Sequence, residues 1–241
     1  MREERFCIGH IPTVLYGAPS DKVWLFLHGK QGHKEEGLDF AELICPKEWQ
    51  VLSIDMPEHG ERKDGPEQLV PWTVVPELEA VMNYARSHWS QVALRANSIG
   101  AWFAMQAFAK TPPVRSLFVS PILDMAELIR TMMGWAGVTE ADLEARGEIA
   151  TPFGETLSWQ YWQYALNHPI TQWESPTAVL YGGLDNLTPR STAEAFAARF
   201  HADLIVMEDG EHWLHTPEQL DVLRRWTLTN LEEDNPRSLP C

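Results

Sequence analysis

Short apolar runs alternate with longer stretches of helical period along this chain, the pattern of a mostly parallel sheet with helices packed on its faces. Residues 6–9 and 13–16, separated by His10, Ile11 and Pro12, read as an opening hairpin. The run 23–27 is then a buried strand, followed by a helical segment through Phe40, Leu43 and Ile44. Residues 51–54 form the next strand, a loop rich in proline and glutamate follows, and 72–89 has helical period. The short run 92–94 leads straight into a helix starting near Ile99, whose Ala, Phe and Met content suits deep burial. Strands at 116–119, 178–181 and 204–207 complete the set, and the last two are each followed by a helix, 190–200 and 217–231.

Between 120 and 176 the alternation stops. Residues 121–175 show helical patches and no convincing strand, so they are expected to form a helical cap inserted into an α/β core made of 1–120 and 176–241, or else a small second domain. At 241 residues the chain is long enough for one sizeable core plus that insertion. The insertion carries eight carboxylates against two arginines, a local balance of −6 within a formal net charge of −15. That sign opposes binding to nucleic acid or to anionic membranes and weakens affinity for anionic small molecules beside the insertion.

Cys7, Cys45 and Cys241 are odd in number and far apart, so neither a disulfide framework nor a Cys-x-x-Cys site follows, and a reducing compartment fits. The start, Met1-Arg-Glu-Glu-Arg, is not followed by an apolar stretch of signal-peptide length, and no run approaches the roughly 18 apolar residues of a membrane span. The expectation is a soluble, cytoplasmic protein with a frayed tail after Glu232, acting on a small molecule, with a homodimer left open.

The sharpest chemical signal is Leu94-Arg95-Ala96-Asn97-Ser98-Ile99-Gly100-Ala101, a strand running into a helix with a serine at the junction. A tight turn that strains the serine backbone leaves no room for large neighbours, and it puts the hydroxyl at a helix N-terminus, where N–H groups face a developing negative charge. Taken alone, the octet fits equally a serine that caps the helix. A hydroxyl nucleophile also needs a base, and the base an orienting acid. After the strand 178–181 comes Gly182-Gly183-Leu184-Asp185, and after 204–207 comes Glu208-Asp209-Gly210-Glu211-His212-Trp213. Ser98, Asp185 and His212 thus lie in turns that follow strands, where α/β sheets place their chemistry.

In that order these segments resemble the nucleophile elbow, acid loop and histidine loop of the α/β-hydrolase superfamily, with Ala96 where the family pattern has its first glycine. Two more turns are similar to family markers, His28-Gly29-Lys30-Gln31-Gly32 and Asp55-Met56-Pro57-Glu58-His59-Gly60. The resemblance implies an α/β-hydrolase fold, a mostly parallel, doubly wound sheet with helices on both faces. It implies a serine hydrolase acting on a small or medium-sized carboxylic ester through an acyl-enzyme, with Ser98 as nucleophile, His212 as base and Asp185 as its acid. The backbone N–H groups of Lys30 and Ile99 would form the oxyanion hole, and no cofactor or metal is implied. The same machinery would serve a thioester, peptide or lactone, or transfer the acyl group to an alcohol, and the fold also occurs as a silent binding protein. A dehalogenase would need Asp at the elbow.

Several residues have competing roles. Asp124, just after the strand 116–119, is an alternative position for the acid. His215 follows His212 by three residues, but no acidic third ligand at a recognisable spacing makes a metal site of the pair. A phosphate loop fails at Gly29-Lys30, which Gln31 follows instead of Ser or Thr. His28 and His59 are expected to shape their turns, and the Lys30 side chain either to reach a substrate carboxylate or to point into solvent. Of the 11 tryptophans, Trp135, Trp159, Trp162 and Trp173 fall in the insertion. The first three are candidate walls of a substrate pocket, against the plainer role of gluing the insertion to the core.

Overall fold

The computed structural model describes residues 1–232; Cys241 and the tail expected to fray lie outside the described residues. Among the described residues, ten strands and eight α-helices follow one another, beginning with β1 (Glu3–Ile8), β2 (Ile11–Tyr16), β3 (Lys22–Leu27), α1 (Gly37–Ile44), β4 (Gln50–Ile54), α2 (Pro71–His88), β5 (Gln91–Asn97), α3 (Ile99–Phe108) and β6 (Ser116–Val119). The insertion contributes α4 (Met125–Ala136), α5 (Glu140–Arg146), β7 (Glu148–Ala150), β8 (Thr156–Ser158) and α6 (Trp159–Asn167). The chain then returns to the core with β9 (Thr177–Gly182), α7 (Arg190–Phe200), β10 (Asp203–Met207) and α8 (Pro217–Glu232).

Eight strands form one sheet in the order β1-β2-β4-β3-β5-β6-β9-β10. The pairs β1–β2 and β2–β4 are antiparallel, and every later pair is parallel. Near-continuous apolar runs in β3, β4, β6 and β9 explain the parallel part, because helices cover both of its faces. On one face Phe40, Ala41 and Ile44 of α1 and Trp226 of α8 pack against Trp24 and Val51. On the other, α2, α3, α7 and the insertion share a second core in which Leu78, Phe103, Phe196, Leu128 and Trp162 are all buried. From β3 the chain runs to β4 on one side and then crosses to β5 on the other. That reversal opens a crevice at the C-terminal ends of β3 and β5, where the turns after Leu27 and Asn97 meet.

Three elements differ from the sequence expectation. β1 begins at Glu3, earlier than the apolar run, because as an edge strand it carries exposed Glu3, Glu4 and Arg5. β5 continues through Arg95 to Asn97; the guanidinium is buried between the rings of Phe40 and Trp226, 5.5 and 5.6 Å from their centroids. Burial pushes the Arg95 pKa down to about 9. Lastly, the insertion is not purely helical: β7 and β8 pair as an antiparallel hairpin, each strand only three residues long and too short to leave a period-2 signature. No described helix is long and apolar enough to cross a membrane.

Candidate active site

Ser98 sits between β5 and α3 with φ 51° and ψ −123°, a left-handed backbone that a non-glycine residue adopts only when its surroundings enforce it. The enforcement is visible on both sides. The Ser98 N–H donates to Val119 O at 3.0 Å, and Ser98 O accepts from the N–H groups of Ala101 and Ile122. Two residues on, a Cβ at Gly100 would stand 2.6 Å from His28 O and 3.1 Å from Leu27 O, so only glycine lets the first turn of α3 rest on the end of β3. At the other flank, Ala96 is fully buried between β3 and β6, so alanine fits where the family pattern has glycine.

Ser98 Oγ lies 2.8 Å from His212 Nε2, and His212 Nδ1 lies 2.6 Å from Asp185 Oδ2. The Asp185 side chain is fully buried and also accepts from the N–H groups of Leu187 and Thr188 at 2.8 and 3.1 Å, so its carboxylate is satisfied from two directions. With a carboxylate at Nδ1, the imidazole keeps its proton there and turns a bare Nε2 to the serine hydroxyl. Two glycines let the loops meet. A Cβ on Gly182 would stand 2.4 Å from Glu211 O and one on Gly183 2.6 Å from Glu208 O, so the histidine loop packs directly on the acid loop.

The turn after β3 completes the arrangement. Gly29 O accepts from His28 Nδ1 at 2.7 Å and from Gly32 N–H at 3.2 Å. Holding that carbonyl fixes the 29–30 peptide plane and therefore aims the Lys30 N–H at its opposite edge. Neither Lys30 N–H nor Ile99 N–H donates a hydrogen bond among the described residues. His28 Nε2 in turn accepts from Met56 N–H at 3.1 Å, and burial pushes its pKa down to about 4, so the ring stays neutral. His59 is used the same way: Nδ1 donates to Pro57 O at 2.7 Å, and Nε2 accepts from Gln31 N–H at 2.8 Å. The two rings lie 5.0 Å apart and bind the 28–32 turn to the 55–60 turn.

Beneath them Asp55 accepts from Lys34 N–H, Lys34 Nζ and Glu61 N–H at 2.8, 2.7 and 3.0 Å, a buried ion pair that no spacing in the sequence signals. The Lys30 side chain is half-exposed, and its ammonium pairs with Glu155 in the insertion.

The other candidates fall away from this line. Asp124 caps α4, its carboxylate accepting from Glu127 N–H at 3.0 Å. His215 is half-exposed, donates to Trp213 O and faces Glu211. Among the described residues no group of three or more His, Cys, Asp or Glu side chains is placed to hold a metal. Trp162 is completely buried with Arg130 over its ring, which makes it packing and not an open pocket wall, whereas Trp159 is half-buried. Trp135 is half-exposed and meets Phe153 edge to face, 5.9 Å between centroids.

Comparison with known proteins bears on the fold. The family described as alpha/beta hydrolase fold matches residues 141–218, a stretch that holds Asp185 and His212 but not Ser98. Compared by sequence with curated proteins, the chain matches none. Among solved structures it is similar to Est1E from Butyrivibrio proteoclasticus with ferulic acid bound, at TM-score 0.77 and 18% identity over 95% of this chain and 98% of that one. The mouse alpha/beta hydrolase domain-containing protein 10 gives TM-score 0.76 and 14% identity over 97% and 99%. A Pyrococcus furiosus esterase gives 0.67 and 15% over 96% and 91%. At these identities the likeness is one of architecture: the chain has the α/β-hydrolase fold.

Proposed function

We propose that this chain, an α/β-hydrolase in fold, is a serine hydrolase that cleaves a small or medium-sized neutral carboxylic ester. The observation that carries the reading is the unbroken hydrogen-bonded line from Ser98 Oγ through His212 to the buried Asp185. Ser98 Oγ attacks the ester carbonyl while His212 Nε2 takes its proton, and Asp185 holds the imidazolium that forms. The N–H groups of Lys30 and Ile99 receive the oxyanion, each worth about 3 to 4 kcal/mol in the transition state. His212 returns the proton to the departing alcohol, and a water activated by the same ring then releases the acyl group. Residues 121–175 act as the cap, with Trp135 and Trp159 as pocket walls. Among chains of the same fold, the Pyrococcus furiosus protein is an esterase, which favours an ester over other acyl substrates, and Est1E holds a carboxylic acid, ferulic acid.

The test is turnover of p-nitrophenyl esters of varied acyl length by the purified protein and by Ser98→Ala. Activity is expected in the first and near-complete loss in the second, together with labelling of Ser98 by a fluorophosphonate. Full activity in Ser98→Ala overturns the proposal.

A further inference from the structure

We infer that Glu155 of the insertion is a positioning residue for the oxyanion turn, acting through the side chain of Lys30; the inference rests on the hydrolase reading above. The pair joins residues 125 positions apart. Lys30 is the residue whose backbone N–H the reading above places in the oxyanion hole, and its turn is anchored on the inner side by His28 and His59 through Gly29 O and Gln31 N–H. Gln31 holds a left-handed φ of 65°, so the turn is bent against its own preference and stays in place only while its neighbours hold it. On the outer side the holding contact is the ammonium of Lys30 on Glu155.

Glu155 is presented from a stiff support. Thr151 N–H and Thr151 Oγ1 both donate to Glu155 O, at 2.7 and 2.8 Å, Glu155 N–H donates back to Thr151 Oγ1 at 3.1 Å, and Gly154 turns the chain with φ 89°. The carboxylate is therefore carried by the closed 151–155 turn between β7 and β8 and does not hang from a loose loop. Both side chains remain partly exposed, 45% for Lys30 and 33% for Glu155, so the pair adds little to the stability of the fold. Catalysis is far more sensitive, because an oxyanion donor displaced by a fraction of an ångström loses much of its effect. The consequence is a coupling between the insertion and the oxyanion hole that appears in kcat and not in folding.

The experiment compares wild type with Glu155→Gln and Glu155→Asp on a neutral short-chain p-nitrophenyl ester, beside Ser98→Ala. Glu155→Gln is expected to lower kcat about 5-fold with KM nearly unchanged, and Glu155→Asp to recover part of it. Added salt should lower wild-type kcat toward that of Glu155→Gln and leave Glu155→Gln unmoved. Melting temperatures of all variants should agree within about 2 °C. Wild-type kcat in Glu155→Gln, or a loss in it that Glu155→Asp does not partly recover and added salt does not reproduce in wild type, overturns the inference. Loss of turnover in Ser98→Ala together with a flat Glu155 series takes down this inference alone; full turnover in Ser98→Ala takes down the hydrolase reading and this inference with it.

Discussion

Gly29 lies directly against Ser98: a Cβ on Gly29 would stand 3.2 Å from the Ser98 Cβ. The turn that aims the Lys30 N–H and the residue that carries the hydroxyl are thus in backbone-level contact, with no side chain between them. Gly29→Ala should keep the fold, since the φ of Gly29 is not in the left-handed region, yet push the turn off Ser98 by a few tenths of an ångström. The expected result is a fall in kcat of about 10-fold with an unchanged melting temperature. Gly100→Ala is the contrasting case. There the new Cβ meets the backbone carbonyl of His28 at 2.6 Å, which has no room to yield, so stability itself should fall by about 1 to 3 kcal/mol in urea denaturation.

Asp185→Asn should lower kcat about 10⁴-fold with little change in stability. The amide oxygen can still accept from Leu187 and Thr188, but its NH₂ would face His212 Nδ1 and force the proton to Nε2, where it blocks transfer from Ser98. Asp124→Asn separates the two acids proposed from sequence. Asparagine caps a helix as well as aspartate does, so its activity should stay within about 2-fold of wild type. A drop of equal size in both variants would show that Asp185 is not acting alone.

His28 gives a pH dependence of defined sign. Burial holds its folded pKa near 4, below the ordinary value of 6.5. Between those values the unfolded chain binds a proton that the folded chain refuses, so this contribution to stability is complete above pH 6.5. It is lost as pH falls toward 4 and is level below that. The size is of order 3 kcal/mol. Urea denaturation of wild type and His28→Asn across this window should show a steeper loss in wild type, even though the variant is less stable at pH 7 for want of the Met56 and Gly29 hydrogen bonds.

Asp55 and Lys34 mark the limit of what the sequence discloses. The order of Ser98, Asp185 and His212 was legible because each follows a strand and because serine, acid and histidine are the groups nucleophilic chemistry requires. The parallel sheet was legible because its strands are apolar on both faces. A buried lysine at position 34 was not, since lysine is ordinarily solvated and nothing in the spacing to Asp55 signals a partner. Arg95 hid the end of β5 for the same reason, a charge placed where a strand interior is expected to be apolar. The contact between Lys30 and Glu155 depends on how the insertion folds back, which no local pattern encodes. Asp55→Ala should leave the Lys34 ammonium in the interior with only exposed Glu61 and half-buried Glu35 near it, lowering stability by about 3 to 5 kcal/mol. Adding Lys34→Met should restore most of it, whereas no recovery would mean that Asp55 stabilises chiefly through the backbone N–H groups of Lys34 and Glu61.

The tryptophans of the insertion divide by burial, and the division predicts opposite phenotypes. Trp162 has no exposed surface and carries Arg130 5.2 Å over its ring. Trp162→Ala removes a large side chain from a packed interior and should cost about 3 to 5 kcal/mol of stability, lowering activity only in proportion to the folded fraction. Trp135 keeps about half of its surface in solvent and rests on Phe153, which lies within the 151–155 turn that carries Glu155. Trp135→Ala should leave stability within about 0.5 kcal/mol and act on binding instead, raising KM most for the longer acyl chains of an ester series while short acetyl esters are spared. A stability curve for Trp135→Ala that matches wild type, with a chain-length-dependent KM, would assign Trp135 to the pocket, and a lowered curve for Trp162→Ala would assign that ring to packing. A KM effect independent of acyl length would remove Trp135 from the pocket and leave both rings with the structural role.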